Sequence, residues 1–226
     1  MGDNPDNKRN SYSLSWYFSQ VASKRFEWSI SSDVVYQQGF LSTPFHRVYF
    51  ANEPANQSNV EVLPDNRFKL PVGVRANCFL GYIAIIKSYY RYYWDWGLIA
   101  HAASVEIPVK ITPFLSVYPF YRYYTQTEVD YFAPYQAHSN REEFYTSDYD
   151  LSAFDSHFYG IGMRYALVGG LWTFKNIISK KQRMLNAIEL RYGMYNRSNG
   201  LDSNIISVHF KFKGKWLFKN KMIGIA

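Results

Sequence analysis

Between residues 11 and 212 the chain alternates apolar and polar positions in nine separate runs, with a period of two throughout. Successive side chains on a strand point to opposite faces, so each run predicts a strand with one apolar and one polar face. Residues 11–20 set Tyr12, Leu14, Trp16 and Phe18 against Ser11, Ser13, Ser15, Tyr17 and Ser19. Residues 25–36 set Phe26, Trp28, Ile30, Val34 and Tyr36 against Arg25, Glu27, Ser29, Ser31 and Asp33, with Ser32 as the one break in the apolar face. Residues 68–78 set Phe68, Leu70, Val72, Val74, Ala76 and Cys78 against Lys69, Pro71, Gly73, Arg75 and Asn77. The remaining runs are 84–94, 103–111, 115–125, 157–165, 186–195 and 204–212. A helical pattern shows only weakly, from Trp172 to Leu185, so the expected class is all-β.

Alternation alone fits a soluble sandwich, whose apolar faces form the core, and equally the inverse, whose apolar faces meet lipid. Three features favour the inverse. Tyr and Trp lie toward run ends (Tyr36, Tyr90, Tyr92, Trp94, Tyr123, Tyr192) with aliphatics nearer the middle, as the aromatic girdles of a membrane barrel require. The connections 21–24, 37–66, 79–82, 95–101, 112–114 and 127–152 alternate short and long, as periplasmic turns and extracellular loops do. An arginine beside a tyrosine recurs in Tyr90-Arg91-Tyr92-Tyr93, Tyr121-Arg122-Tyr123-Tyr124, Met163-Arg164-Tyr165 and Leu190-Arg191-Tyr192, each time with the arginine on the polar face. The expectation is an antiparallel up-and-down transmembrane β-barrel, with about nine to ten strands in this chain and more in the whole barrel. The stretch SYYRYYWDWG, residues 88–97, then reads as a strand reaching the outer interface, with Tyr90, Tyr92 and Trp94 toward lipid and Arg91 and Asp95 toward the lumen.

Composition sharpens this in places. Aromatic residues make up 19% of the chain, more than an ordinary globular protein needs, and no apolar run reaches the roughly 20 residues of a membrane helix. One cysteine, Cys78, leaves no internal disulfide and is assigned no role. Residues 1–9 are a polar leader with no apolar h-region of a signal peptide, 10–213 hold the strands and loops of one barrel domain, and 214–226 are an atypical basic tail. Barrels of one chain usually have an even strand count with both ends periplasmic, so nine strands beginning at the outer rim predict a missing upstream strand and a longer precursor.

The net charge of +7 is scattered, apart from Lys175, Lys180, Lys181 and Arg183 and from Lys211 to Lys221. Because no single basic platform forms, nucleic acid is not an expected partner; outer-membrane lipid and other envelope proteins are. On the polar parity class, Lys69, Arg75, Lys87, Arg91, Lys110, Arg122, Arg164, Arg191 and Lys211 outnumber Glu27, Asp33, Asp95, Glu106 and Glu189. The candidate lumen or ligand-binding residues are Lys87, Arg91, Asp95, His101, Glu106, Arg122, Arg164, Glu189 and Arg191. An open pore so lined prefers anions; the alternative is a lumen plugged by these same side chains. A second reading is an enzyme or binder at the rim, where Asp95 and His101 flank one turn and could activate water. Asp130, His138, Glu142, Glu143, Asp148 and Asp150 crowd one loop, and such carboxylates can hold calcium. Neither set has the spacing of an established motif, so no catalytic residue, cofactor or metal is expected.

Several stretches resemble the DUF3570 family, bacterial proteins of uncharacterised function. They are Asp33-Val34-Val35-Tyr36-Gln37, Ser42-Thr43-Pro44-Phe45-His46-Arg47-Val48-Tyr49-Phe50 and Leu63-Pro64-Asp65-Asn66-Arg67, followed by Tyr90-Arg91-Tyr92-Tyr93, Trp96-Gly97 and Ala100-His101. Tyr121-Arg122-Tyr123-Tyr124-Thr125-Gln126-Thr127, Asp130-Tyr131-Phe132 and Ser147-Asp148-Tyr149-Asp150-Leu151-Ser152 continue the likeness, which covers roughly residues 10–213. The resemblance implies an outer-membrane β-barrel of a Gram-negative, Bacteroidetes-like bacterium, with a signal peptide and further strands upstream. It implies no reaction.

Overall fold

A period-two pattern interrupted by glycine, proline and polar turns builds hairpins, and the computed structural model consists of them. It describes residues 8–51, 53, 54, 57–167, 169–175 and 182–215. The start of the polar leader, Lys180, Lys181 and the tail beyond residue 215 lie outside the described residues. The strands are β1 (Arg9–Ser23), β2 (Phe26–Gly39), β3 (Arg47–Val48), β4 (Asn59–Val60), β5 (Asn66–Leu80), β6 (Ala84–Asp95), β7 (Leu98–Glu106), β8 (Val109–Lys110), β9 (Leu115–Gln126), β10 (Phe154–Ala166), β11 (Trp172–Lys175), β12 (Gln182–Arg197) and β13 (Asp202–Lys215). The long strands form one antiparallel meander, β1-β2-β5-β6-β7-β9-β10-β12-β13. The protein is all-β; eight of the nine alternating runs fall on one of these strands each, and the run 103–111 is divided between β7 and β8.

Among the described residues β1 pairs only with β2 and β13 only with β12, so the sheet is open. Three local differences from the sequence reading have simple causes. The weak helical pattern from Trp172 to Leu185 is strand where it is described, at Trp172–Lys175 and from Gln182: β11 pairs Trp172 with Leu185 and prolongs the line of β10 along β12. The run 103–111 breaks after Glu106, because Pro108 has no N–H to give a ladder. Val109 resumes the pairing with Val117, and Pro119 of β9 lies opposite the gap. The connection expected over 95–101 is a two-residue turn, Trp96-Gly97, with φ of 46° and 79°. Positive φ at both positions matches the right-handed twist of a hairpin, and glycine accepts it without strain.

The polar face of the sheet is the concave one. Glu106 on β7 and Arg191 on β12 are three strand spacings apart, roughly 14 Å on a flat sheet, yet their charged ends approach to 3.5 Å. The opposite face carries the apolar parity class in the open, with Leu14 74% and Phe210 56% exposed. Burial is concentrated at one end, where the connections 40–65 and 127–153 meet the 96–97 turn. There Leu41, Leu63, Trp96, Leu98, Ala100 and Val129 pack together, flanked by Tyr93, Tyr124, Tyr131, Phe132 and Leu151. No helix among the described residues is long and apolar enough to cross a membrane, which leaves crossing by strands open.

Candidate functional site: a concave polar face under a loop cap

Strand register arranges the polar side chains in rungs across the concave face. The middle rung runs Arg75, Tyr89, Ser104, Arg122, Phe158, Tyr195 from β5 to β12. One rung toward the cap come Gly73, Arg91, Ala102, Tyr124, Ser156 and Arg197; one rung away come Asn77, Lys87, Glu106, Phe120, Gly160 and Gly193. Arg191 lies beyond these, and Arg164 sits opposite Glu189 at the far end. Of the sequence candidates, Lys87, Arg91, Glu106, Arg122, Arg164, Glu189 and Arg191 therefore share one surface.

Glu106 joins two of them, with Lys87 Nζ at 3.2 Å and Arg191 Nη2 at 3.5 Å. Arg191 also stands 3.8 Å from the ring centre of Phe120 and 5.9 Å from that of Tyr118, in cation–π contact with both. The Tyr118 ring lies flat on Gly162, where a Cβ would come within 2.0 Å of it. Here glycine is required by close approach of a ring. A cavity of about 730 Å³ opens over Arg75, Lys87, Tyr89, Glu106, Arg122 and Arg191. A second, of about 550 Å³, includes Lys87, Glu106, Tyr118, Arg164 and Glu189.

Asp95 and His101 are not brought together. Asp95 is buried on the concave side, accepting from Arg67 Nε (2.7 Å) and Nη2 (2.5 Å) and from the Tyr93 hydroxyl (2.7 Å). The Arg67 guanidinium lies 4.1 Å from the Trp96 ring centre, and Trp96 Nε1 donates to the Asn66 carbonyl at 2.9 Å. This carboxylate is fully engaged as a brace for the 96–97 turn. His101 is on β7 opposite Tyr92, on the apolar face, with Nδ1 2.7 Å from the Tyr90 hydroxyl. The arrangement repeats one hairpin on: His157 of β10 lies opposite Tyr123, with Nδ1 2.8 Å from the Tyr121 hydroxyl. Two copies of the Tyr-Arg-Tyr-Tyr motif thus each supply two outward tyrosines to a histidine on the next strand.

The acidic loop residues act separately. His138, 1% exposed, has Nδ1 2.5 Å from Glu142 Oε2 and donates through Nε2 to the Thr146 carbonyl at 2.8 Å. The Ser139 N–H, and after it His138, hold the Glu142 carboxyl below its ordinary value. Asp148 accepts from the Asp150 N–H (2.9 Å) and starts the 3-10 turn Tyr149–Leu151, while Asp150 pairs with Arg197 at 2.7 Å. The Asp130 carboxylate packs on Gly97, and Glu143 is exposed. Among the described residues no three His, Cys, Asp or Glu side chains converge as metal ligands.

Sequence reasoning missed Arg67, Glu61, His46 and Arg197. Glu61, 3% exposed, accepts from the Thr43 N–H at 2.5 Å and the Thr146 hydroxyl at 2.8 Å, and His46 Nδ1 lies 3.6 Å from both Glu61 and Asp148. These loop pairings follow no periodicity, so alternation carries no signal for them. Arg67 carries one: the parity of Lys69 and Arg75 puts it on the same face as Asp95.

Against known families, a model described as a protein of unknown function (DUF3570) matches residues 2–221. No curated protein and no solved structure matches the chain.

Proposed function

We propose that this chain, which belongs to the DUF3570 family, forms wall of an outer-membrane β-barrel, its apolar face against lipid and its polar face lining the lumen. The observation that carries the reading is the distribution of burial. Where the protein has its loops, it packs an apolar core; along the strands large apolar side chains stand outward and exposed, Ile161, Met163, Val208 and Phe210 among them, while Phe120 and Tyr118 are buried on the concave side. A soluble sandwich hides that face against a second sheet.

The dimensions support the same reading. On β10 the outward positions pass from Asp155 and His157 through Tyr159, Ile161 and Met163 to Tyr165. Residues 155 to 165 cover roughly 33 Å of strand, or about 25 Å of height at a tilt near 40°, which takes in the apolar positions Tyr159 to Tyr165 and the polar Asp155 and His157 at the loop end. The two tyrosine–histidine clusters lie at the loop end of that span, where rings with a polar tip meet headgroups.

In such a wall the concave face acts as a pore lining or as the interior of an envelope scaffold. A pore with this surplus of arginine favours anions. The test is heat-modifiable migration of the chain refolded in maltoside micelles, followed by conductance in a planar bilayer. Faster migration before boiling supports the barrel; a monodisperse protein that needs no detergent sinks it. Anion-selective current identifies a pore, and a silent bilayer with an intact heat shift identifies a scaffold.

A further inference from the structure

Among the described residues, four cations on the concave side have an acid within 4 Å. Lys87 and Arg191 share Glu106, Arg67 holds Asp95, and Arg197 holds Asp150. Arg75, Arg91 and Arg122 have no carboxylate within 4 Å among the described residues, which holds also for Lys69, Lys110 and Arg164, but these three arginines are neighbours. Arg75 and Arg122 end the Arg75-Tyr89-Ser104-Arg122 rung, and Arg91 stands one rung away, two residues along β6 from Tyr89.

Gly73 and Ala102 flank Arg91 and Ser104 flanks Arg122, and the large side chain between them, Tyr89, lies over Gly73, where a Cβ would come within 2.8 Å of its hydroxyl. Two cavities, of about 730 and 490 Å³, meet there and share Tyr89, Ser104 and Arg122. Arg91 lies 5.4 Å from the Tyr93 ring centre and Arg75 5.6 Å from that of Tyr89, so both planar heads are steered by aromatic faces.

Three like charges gathered on two adjacent rungs repel unless something of opposite sign joins them. Guanidinium carries only donors, in a fork that fits two oxygens of one group. We propose that Arg75, Arg91 and Arg122, with the Tyr89 and Ser104 hydroxyls, form a site for a phosphoryl group: inorganic phosphate or a small phosphate ester. A carboxylate offers two oxygens in a plane, whereas a phosphoryl group offers three about a centre and a second negative charge, and so serves arginines arriving from three strands. The site lies on the face read above as lumen and rests on that reading for its access route, but not for its binding chemistry.

The test is calorimetric titration of inorganic phosphate into the full chain refolded in maltoside micelles. Saturable binding is expected, weakened about tenfold or more by Arg91→Gln or Arg122→Gln, the loss of a charge-assisted hydrogen bond. Arg91→Lys, which keeps the charge and loses the fork, is expected to lose several-fold. Arg164→Gln, on the same face but outside both cavities, is expected to bind as the parent does. No saturable binding by a chain that keeps its heat shift, or an equal loss in Arg164→Gln, overturns the site and leaves the barrel standing. Phosphate binding by a chain that shows no heat shift and inserts in no vesicle overturns the barrel and leaves the site. Adding phosphatidylglycerol to the micelles separates the two sources: unchanged phosphate affinity assigns the site to a free ligand, and competition assigns it to a lipid headgroup.

Discussion

The loop cap and the strand wall are built from the same residue types on opposite plans. The cap buries its apolar groups and wires its few charges one by one: Arg67 to Asp95, Arg197 to Asp150, and Glu61 to the Thr43 N–H and the Thr146 hydroxyl. The wall leaves its apolar groups in the open and gathers its charges on the concave side, where some have no acid at all. The cap therefore obeys the rules of a protein in water, in which a buried charge must be satisfied. On the proposed reading the wall obeys the rules of a surface between two media.

That contrast predicts how each region breaks. The largest effect is expected at the cap's buried pair: Arg67→Ala strands the Asp95 carboxylate and costs about 3–5 kcal/mol, read as a fall in the unfolding midpoint in micelles. Next comes the wall. Ile161→Arg, on the outward face of β10, should cost about 2–4 kcal/mol for insertion into vesicles, while Ser207→Arg over the concave cavity should insert normally. Equal behaviour of the two would erase the distinction between the faces. Gly97→Ala meets both a φ of 79° and the Asp130 carboxylate, and about 1–3 kcal/mol is expected from thermal melting. Thr146→Val removes one donor from buried Glu61 for about 1 kcal/mol, seen as faster amide exchange in the 40–65 loop.

The smallest effect is set by pH. The Glu142 carboxyl is held low in the folded cap, so its contribution is present above the ordinary glutamate value near 4.3 and is lost as pH falls through the folded value. Protease cleavage within 138–146 should be flat near neutrality and rise only in acid; Glu142→Gln should flatten that rise.

The wall was legible in the sequence because a strand with two different neighbours must alternate, and the nine runs did so without drift. Parity also put Lys87, Arg91, Glu106, Arg122, Arg164 and Arg191 on one face. Legibility ended where pairing depends on turns. Treating 95–101 as a connection hid His101, although two steps back from Ala103 and Val105 place it outward, as the structure has it. The partners of Asp95 and Glu61 come from distant loops, and no local pattern encodes a contact such as Glu61 with Thr146, 85 residues away.

The meander has a consequence for the order of assembly. Each long strand hydrogen-bonds only to its predecessor and successor among the long strands, so the sheet can be laid down hairpin by hairpin, with little loop-closure entropy at each step. The cap cannot form that way. Its bridges Phe50–His138 and Val62–Tyr145 join the loop before β5 to the loop after β9, and they come within reach only once the four long strands between them are paired. Closure of the cap is thus a late event, and its protection from exchange marks molecules whose central strands are already in register.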